Sequence, residues 1–215
     1  MPRGSLPELI HRLNHDYPYD VGVFCLFMLN VFQLAPGEAL YMGANDPHAY
    51  ISGDCVECMA TSDNVVRAGL TPKLRDVPVL VDMLTYDFGP PETKITRGVK
   101  YVDARNIESE TSKLYDPPIE EFSVLQTSLS PGHSESFYNT SGPTILIVTA
   151  GKGVLTVVDS DVDSNEQRDS GEDKSSSESQ DLATGYVIFV KPGTSYRLEA
   201  DNDHRLEVYA AWCTA

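Results

Sequence analysis

The sequence has 215 residues, 41% hydrophobic and 22% charged, the balance of a soluble globular chain long enough to bury a real core. Its formal net charge of −16 is unevenly spread: between Asp159 and Asp181 nine acids stand against Arg168 and Lys174, so −7 sits in one stretch. This balance argues against nucleic acid and anionic membrane, which demand basic patches, but leaves room for a small anion held by a few local cations.

In chain order, Leu6, Leu9, Ile10 and Leu13 recur at helical spacing and predict a helix over 6–15. Tyr17-Pro18 closes it, because a residue before proline is pushed out of the helical region. No signal-peptide pattern opens the chain, and the apolar run 21–34 falls short of the roughly 20 residues needed to cross a bilayer. A reduced, cytoplasmic setting is therefore expected for Cys25, Cys55, Cys58 and Cys213. The run 21–34 reads as a buried strand stopped by Ala35-Pro36-Gly37, with further short strands at 39–42 and 55–60. Val77, Leu80, Val81 and Leu84 place one apolar face on a helix over 76–86, which Gly89-Pro90-Pro91 ends.

Patterning is weak over 92–121, a candidate crossover. Strands are then predicted at 122–129, 144–149, 153–159, 185–191, 195–200 and 205–212, with turns such as 150–153 and Lys191-Pro192-Gly193 between them. Short strands with regular turn signals point to a β sandwich or barrel. The stretch 160–180 is rich in Ser, Asp and Glu and almost free of apolar residues, so a disordered, solvated hairpin loop is expected there. Ser175, three residues before Glu178, has the spacing an acid-directed kinase accepts, but a passive solvated insertion is the favoured expectation.

The polar segment 45–73 interrupts this core-forming pattern. His48 and Tyr50 lie two apart and share a face of any extended segment, as do Cys55 and Glu57. Asp63, Arg67 and Lys73 follow within about ten residues. An imidazole for a metal, a carboxylate for proton transfer, a phenol and two cations together suit chemistry on an anionic small molecule. Cys55 and Cys58 form a C-x-x-C pair with no second pair elsewhere, and read as reduced thiols rather than a zinc ribbon.

The string LAPGEALYMGANDPHAYISGDCVECMATSDNVVRAGLTPK closely resembles the signature region of type I phosphomannose isomerases. The lead-in from Leu6 to Leu34 and the Asp76-Val77-Pro78 and Met83-Leu84-Tyr86 patterns fit it too; the remainder resembles that family's C-terminal β domain more loosely. The resemblance implies a mainly β, cupin-type jelly roll with a few helices. It divides the chain into a C-terminal part of the catalytic cupin with its preceding helix (1–90), a crossover (91–121) and a cupin-like β domain carrying the acidic loop (122–215). It also implies zinc-assisted interconversion of mannose 6-phosphate and fructose 6-phosphate through an enediol, feeding GDP-mannose synthesis. His48 falls on a zinc ligand and Arg67 on an active-site arginine. Tyr50, Glu57, Asp63 and Lys73 fall on residues lining the same pocket, Glu57 and Lys73 with Arg67 on the catalytic side, Tyr50 and Asp63 on the substrate side.

The family's other zinc ligands, a Gln-x-His pair and a glutamate, precede the region matched here, and the sequence contains no Gln-x-His. His11, His15, His133 and His204 do not fit those positions. The one zinc ion is thus expected to take its remaining ligands from an N-terminal part, and the chain alone to have little turnover. The competing expectation is a non-catalytic cupin module that binds a sugar phosphate or a protein partner. Both rest on His48, Arg67 and Lys73 meeting at one cavity.

Overall fold

The computed structural model describes residues 5–62, 65–138, 142–158 and 178–213. Asp63, Ser175 and almost all of the predicted acidic loop lie outside these residues. The chain divides into two compact units, Met1–Cys55 with Thr61–Thr96, and Val56–Ala60 with Arg97–Ala215. Among the described residues no helix is long and apolar enough to cross a membrane.

The first unit opens with the predicted helix, α1 (Leu6–Asp16), whose Pro7 sits in the first turn where an amide has no partner to lose. Leu9 and Leu13 are buried with Leu26, and Ile10, Tyr17, Val23, Ile51 and Leu70 pack against this small core. The Arg12 guanidinium donates to the Ile51 carbonyl at 2.6 Å. The strand expected over 21–34 does not form. Val21–Phe27 is a 3-10 helix instead, and residues 31–35 have no regular element. A strand needs a neighbour for its backbone groups, and among the described residues none runs beside this run. Asp20 satisfies the first turn locally, its carboxylate accepting from the Gly22 amide at 2.7 Å. Phe24, Phe27 and Met28 are left exposed.

Glu38–Leu40 (β1) pairs with Ile95–Arg97 (β2) in a two-stranded sheet. Cys55–Ala60, expected as a strand, has no regular structure and no strand partner among the described residues. Val77–Met83 forms α2 as predicted, with Asp76 accepting from the Val79 amide at 3.2 Å to cap it. Its apolar face is not a core face: no residue of α2 is buried.

The second unit is a curled antiparallel sheet. Its strands are β3 (Val99–Val102), β4 (Glu108–Tyr115), β5 (Ser123–Leu129), β6 (Ser134–Phe137) and β7 (Thr144–Val158). Then come β8 (Ser179–Ala183), β9 (Val187–Val190), β10 (Ser195–Ala200) and β11 (Leu206–Trp212). The order is β3-β4-β5-β11-β7-β10-β6, with β8 and β9 also paired to β7. β3 and β4 fall where a crossover was expected. The one buried position of β4 is Ser112, a hydroxyl rather than an aliphatic group, so hydropathy gives little sign of the strand. Buried Ser112 bonds Thr127 Oγ1 at 2.8 Å and donates to Glu135 Oε2 at 2.6 Å. Ser179 and Gln180, expected within the loop, open β8.

β7 merges two predicted strands. Its first half pairs with β9 and β11, its second with β8 and β10. The expected turn at 150–153 is the bend between them. Gly151 has φ +87°, a Cβ there would lie 1.6 Å from the Arg205 carbonyl oxygen, and the β11 register shifts between Glu207 and Val208. Glycine lets one strand cross from one part of the curl to the other where a side chain would have blocked it. Leu125, Leu129, Leu146, Val148, Leu155, Leu198, Leu206 and Val208 fill the interior. Phe137 stacks on Tyr196 there with centroids 5.0 Å apart. Burial foremost, then Tyr101 and Glu135, pushes the Tyr196 phenol well above its usual range. The chain is thus mainly β with a few helices, as the sequence implied, and its second unit is a curled sheet.

Candidate active site

Among the described residues, the first unit holds four of the candidates, His48, Tyr50, Arg67 and Lys73. Asn45 turns the chain at φ +66°, and Asp46 then anchors it. Lys94 Nζ donates to Asp46 Oδ2 at 2.9 Å and Thr85 Oγ1 to Oδ1 at 3.2 Å. The Lys94 bond holds the Asp46 carboxyl below its usual range, outweighing partial burial, and raises Lys94 in turn. With Asp46 fixed, its carbonyl oxygen lies 2.9 Å from His48 Nδ1. A carbonyl only accepts, so this bond is made by a proton on Nδ1 and leaves Nε2 facing away from it. The His48 and Tyr50 rings come together as the two-residue spacing required, centroids 5.8 Å apart and tilted by 57°.

Arg67 and Lys73 lie on a second stretch. Lys73 lines an open hollow of about 500 Å³ with Val21, Ala68, Pro72, Leu74, Arg75 and Val77. Arg67, half-buried, adjoins this lining at Ala68, while His48 and Tyr50 are not part of it. Among the described residues the Arg67 and Lys73 side chains make no hydrogen bond or ion pair. Arg75 differs: its Nη1 lies 3.2 Å from Asp20 Oδ1. Both Arg75 and Asp20 escaped the sequence reading. Asp-Val-Gly ahead of an apolar run is a capping signal and predicts the Gly22 bond, but Thr71 and Arg75 lie more than fifty residues from Asp20. Glu57 is exposed and belongs to the second unit, and Asp63 is outside the described residues.

His48 meets one requirement of a metal ligand, since a ring nitrogen tied to a carbonyl orients the other for coordination. The set is incomplete, however. Among the described residues no group of three or more His, Cys, Asp or Glu could hold a metal ion, whereas a catalytic zinc takes three protein ligands. The cysteines are all free, Cys55 exposed and Cys58 half-buried, and burial raises the Cys58 thiol.

Residues 2–29 match the helical insertion domain of type I phosphomannose isomerases, and residues 112–160 match that family's C-terminal region. The mannose-6-phosphate isomerase of Cryptococcus neoformans is 46% identical over 211 residues, 98% of this chain and 43% of that protein. This chain is similar to the type I phosphomannose isomerases over nearly its whole length. Another mannose-6-phosphate isomerase, from Ogataea parapolymorpha, is 43% identical over 98% of the chain and 46% of its own length. The chain thus spans somewhat under half of the curated relatives it matches. Among solved structures, a mutant phosphomannose isomerase from Salmonella typhimurium superposes with a TM-score of 0.61 at 27% identity, covering 97% of this chain and 46% of that one. The mannose 6-phosphate isomerase of the same organism, bound to its substrate fructose 6-phosphate and to zinc, gives 0.57 at 25% identity, over 98% of this chain and 49% of that one.

Proposed function

We propose that this chain is the sugar-phosphate-binding portion of a mannose-6-phosphate isomerase, acting on mannose 6-phosphate and fructose 6-phosphate. The observation that carries the reading is the pair of uncommitted cations on one stretch. In a chain of net charge −16, Arg67 and Lys73 have no carboxylate partner among the described residues, although Arg75 beside them does. Cations left unpaired amid an acid excess suit a phosphate or a developing enediolate. The relatives' printed activity and the substrate-bound neighbour support the same substrate class.

In this reading Arg67 and Lys73 hold the phosphate and the negative charge that builds as a proton moves between C1 and C2. Tyr50 and Asp63 contact the sugar hydroxyls. Glu57 is the carboxylate assigned to the catalytic set, a positioned acid or base contributing roughly 10²–10⁴-fold. His48, through Nε2, would be one ligand of zinc, which when bound polarises the sugar carbonyl. The described residues do not complete that shell, so the remaining ligands are assigned to sequence beyond this chain. The free cysteines suit the cytoplasmic setting proposed with it, and the direction yielding mannose 6-phosphate would feed GDP-mannose synthesis.

Calorimetry with fructose 6-phosphate tests the reading. The unaltered chain is expected to bind, and Arg67→Ala to weaken binding by about tenfold or more, the scale of a charge-assisted hydrogen bond. Equal affinity in the variant would refute it. A second reading, a non-catalytic binding module, is favoured by the incomplete donor set. Co-expression with the portion of the Cryptococcus relative that this chain does not cover separates the two. Restored, chelator-sensitive isomerisation supports the enzyme portion, and binding without turnover supports the module.

A further inference from the structure

The stretch bearing Arg67 and Lys73 contains no helix or strand to hold it. What fixes it is one carboxylate brought from far back in the sequence. Asp20 Oδ1 accepts from Gly22 N at 2.7 Å and lies 3.2 Å from Arg75 Nη1, while Oδ2 accepts from Thr71 N at 3.3 Å. The Leu70 amide donates to the same carboxylate. Its side chain is only 8% exposed. Two amides of the loop, one guanidinium beyond it and one amide of the 3-10 turn therefore converge on a single, nearly buried anion. The backbones also meet: a Cβ at Gly69 would lie 2.6 Å from the Gly22 Cα, and a Cβ at Gly22 2.6 Å from the Leu70 nitrogen. Leu70 takes φ +52°, a conformation that a leucine keeps only when its surroundings impose it.

We infer that Asp20 is the positioning residue of the isomerase's sugar-phosphate site, holding the 67–73 loop so that Arg67 and Lys73 face the anionic ligand. The inference rests on the ligand role proposed above for those two cations. Asp20 touches no substrate itself; it acts through the loop amides and through Arg75. By pairing Arg75, it also removes that cation from competition for the phosphate and leaves Lys73 as the uncommitted cation of the hollow. The carboxylate is needed as an anion, because an amide side chain offers one accepting oxygen where the loop and the turn use two.

The test uses the full chain with Asp20→Ala, Asp20→Asn and Asp20→Glu, read by residue-resolved amide hydrogen exchange and by calorimetry with fructose 6-phosphate. Trp212, the only tryptophan, lies in β11 of the second unit. Asp20→Ala is expected to speed exchange at Leu70 and Thr71 and to weaken fructose 6-phosphate binding by about tenfold, the scale of losing bonds to a charged acceptor. The Trp212 melt should not move. Asp20→Asn should fall between the two, and Asp20→Glu should recover part of the affinity. Unchanged exchange at Leu70 and Thr71 overturns the inference. So does faster exchange with undiminished affinity, which would leave Asp20 a structural brace alone. If the unaltered chain binds no fructose 6-phosphate, the ligand reading fails on its own account, and the inference falls with it. That failure is recognisable because it appears without any substitution at Asp20.

Discussion

Adding one methyl group at Gly151 should cost the second unit about as much as truncating a leucine of its core, and the geometry says why. Residue 151 has φ +87°, which an alanine adopts at a cost of about 1–3 kcal/mol. Its Cβ would also lie 1.6 Å from the Arg205 carbonyl oxygen and 2.7 Å from the Arg205 carbonyl carbon, so β11 must move. Forced displacement of packed backbone adds about 1–3 kcal/mol, for a total of roughly 2–6 kcal/mol. At roughly 3–5 °C per kcal/mol for a domain of this size, Gly151→Ala should lower the melting temperature by about 6 °C or more. Gly185 is the internal control: φ is +91°, but nothing lies within 4 Å of an added Cβ. Gly185→Ala therefore carries the dihedral cost alone and should fall clearly short of Gly151→Ala. Thermal unfolding followed at Trp212 measures both. Equal losses in the two variants, or a shift below about 4 °C for Gly151→Ala, would refute the argument that close approach of β11 makes residue 151 a glycine.

Three further outcomes are expected. Leu146 is fully buried, so Leu146→Ala should cost about 2–5 kcal/mol in urea unfolding with little change in slope. Burial opposes ionisation of Asp103, but the Ile107 amide and Arg105 outweigh it and hold its carboxyl below the usual range. Its folded pKa is depressed, so it stabilises above the unfolded value, and this contribution disappears as pH falls through the folded one. Asp103→Asn should accordingly flatten the acid limb of a stability-against-pH curve. Because the described donor set is incomplete, dialysis against a chelator should leave the melting temperature of the chain unchanged; zinc retained at one equivalent through dialysis would contradict this.

The elements readable from the sequence were those whose pattern is local and apolar. α1, α2, β5, β10 and β11 came from periodicity and turn residues, and the His48–Tyr50 pairing from a two-residue spacing. Misread elements depended on distant partners or on polar inward positions. The run 21–34 has strand composition but no neighbouring strand among the described residues, and β4 buries Ser112 where an aliphatic residue would have advertised a strand. Gly151-Lys152-Gly153 looks like a turn because glycine serves both turns and bends, and only the approach of Arg205 tells them apart. At the site, resemblance supplied His48, Arg67 and Lys73. Asp20, Asp46 and Lys94 were illegible because their work is done across separations of 48 to 55 residues.

β7 has a consequence for synthesis as well as for shape. Its neighbours β8, β9, β10 and β11 all follow it in the chain. A ribosome therefore delivers Ile145, Leu146, Ile147 and Val148 before any of the strands that cover them exists. One edge of the aliphatic segment gains β9 once residue 190 has emerged, but the other stays unpaired and prone to association until residue 212 has left the exit tunnel. Chains that stop short of β11 should accordingly accumulate as insoluble protein rather than as a smaller soluble domain.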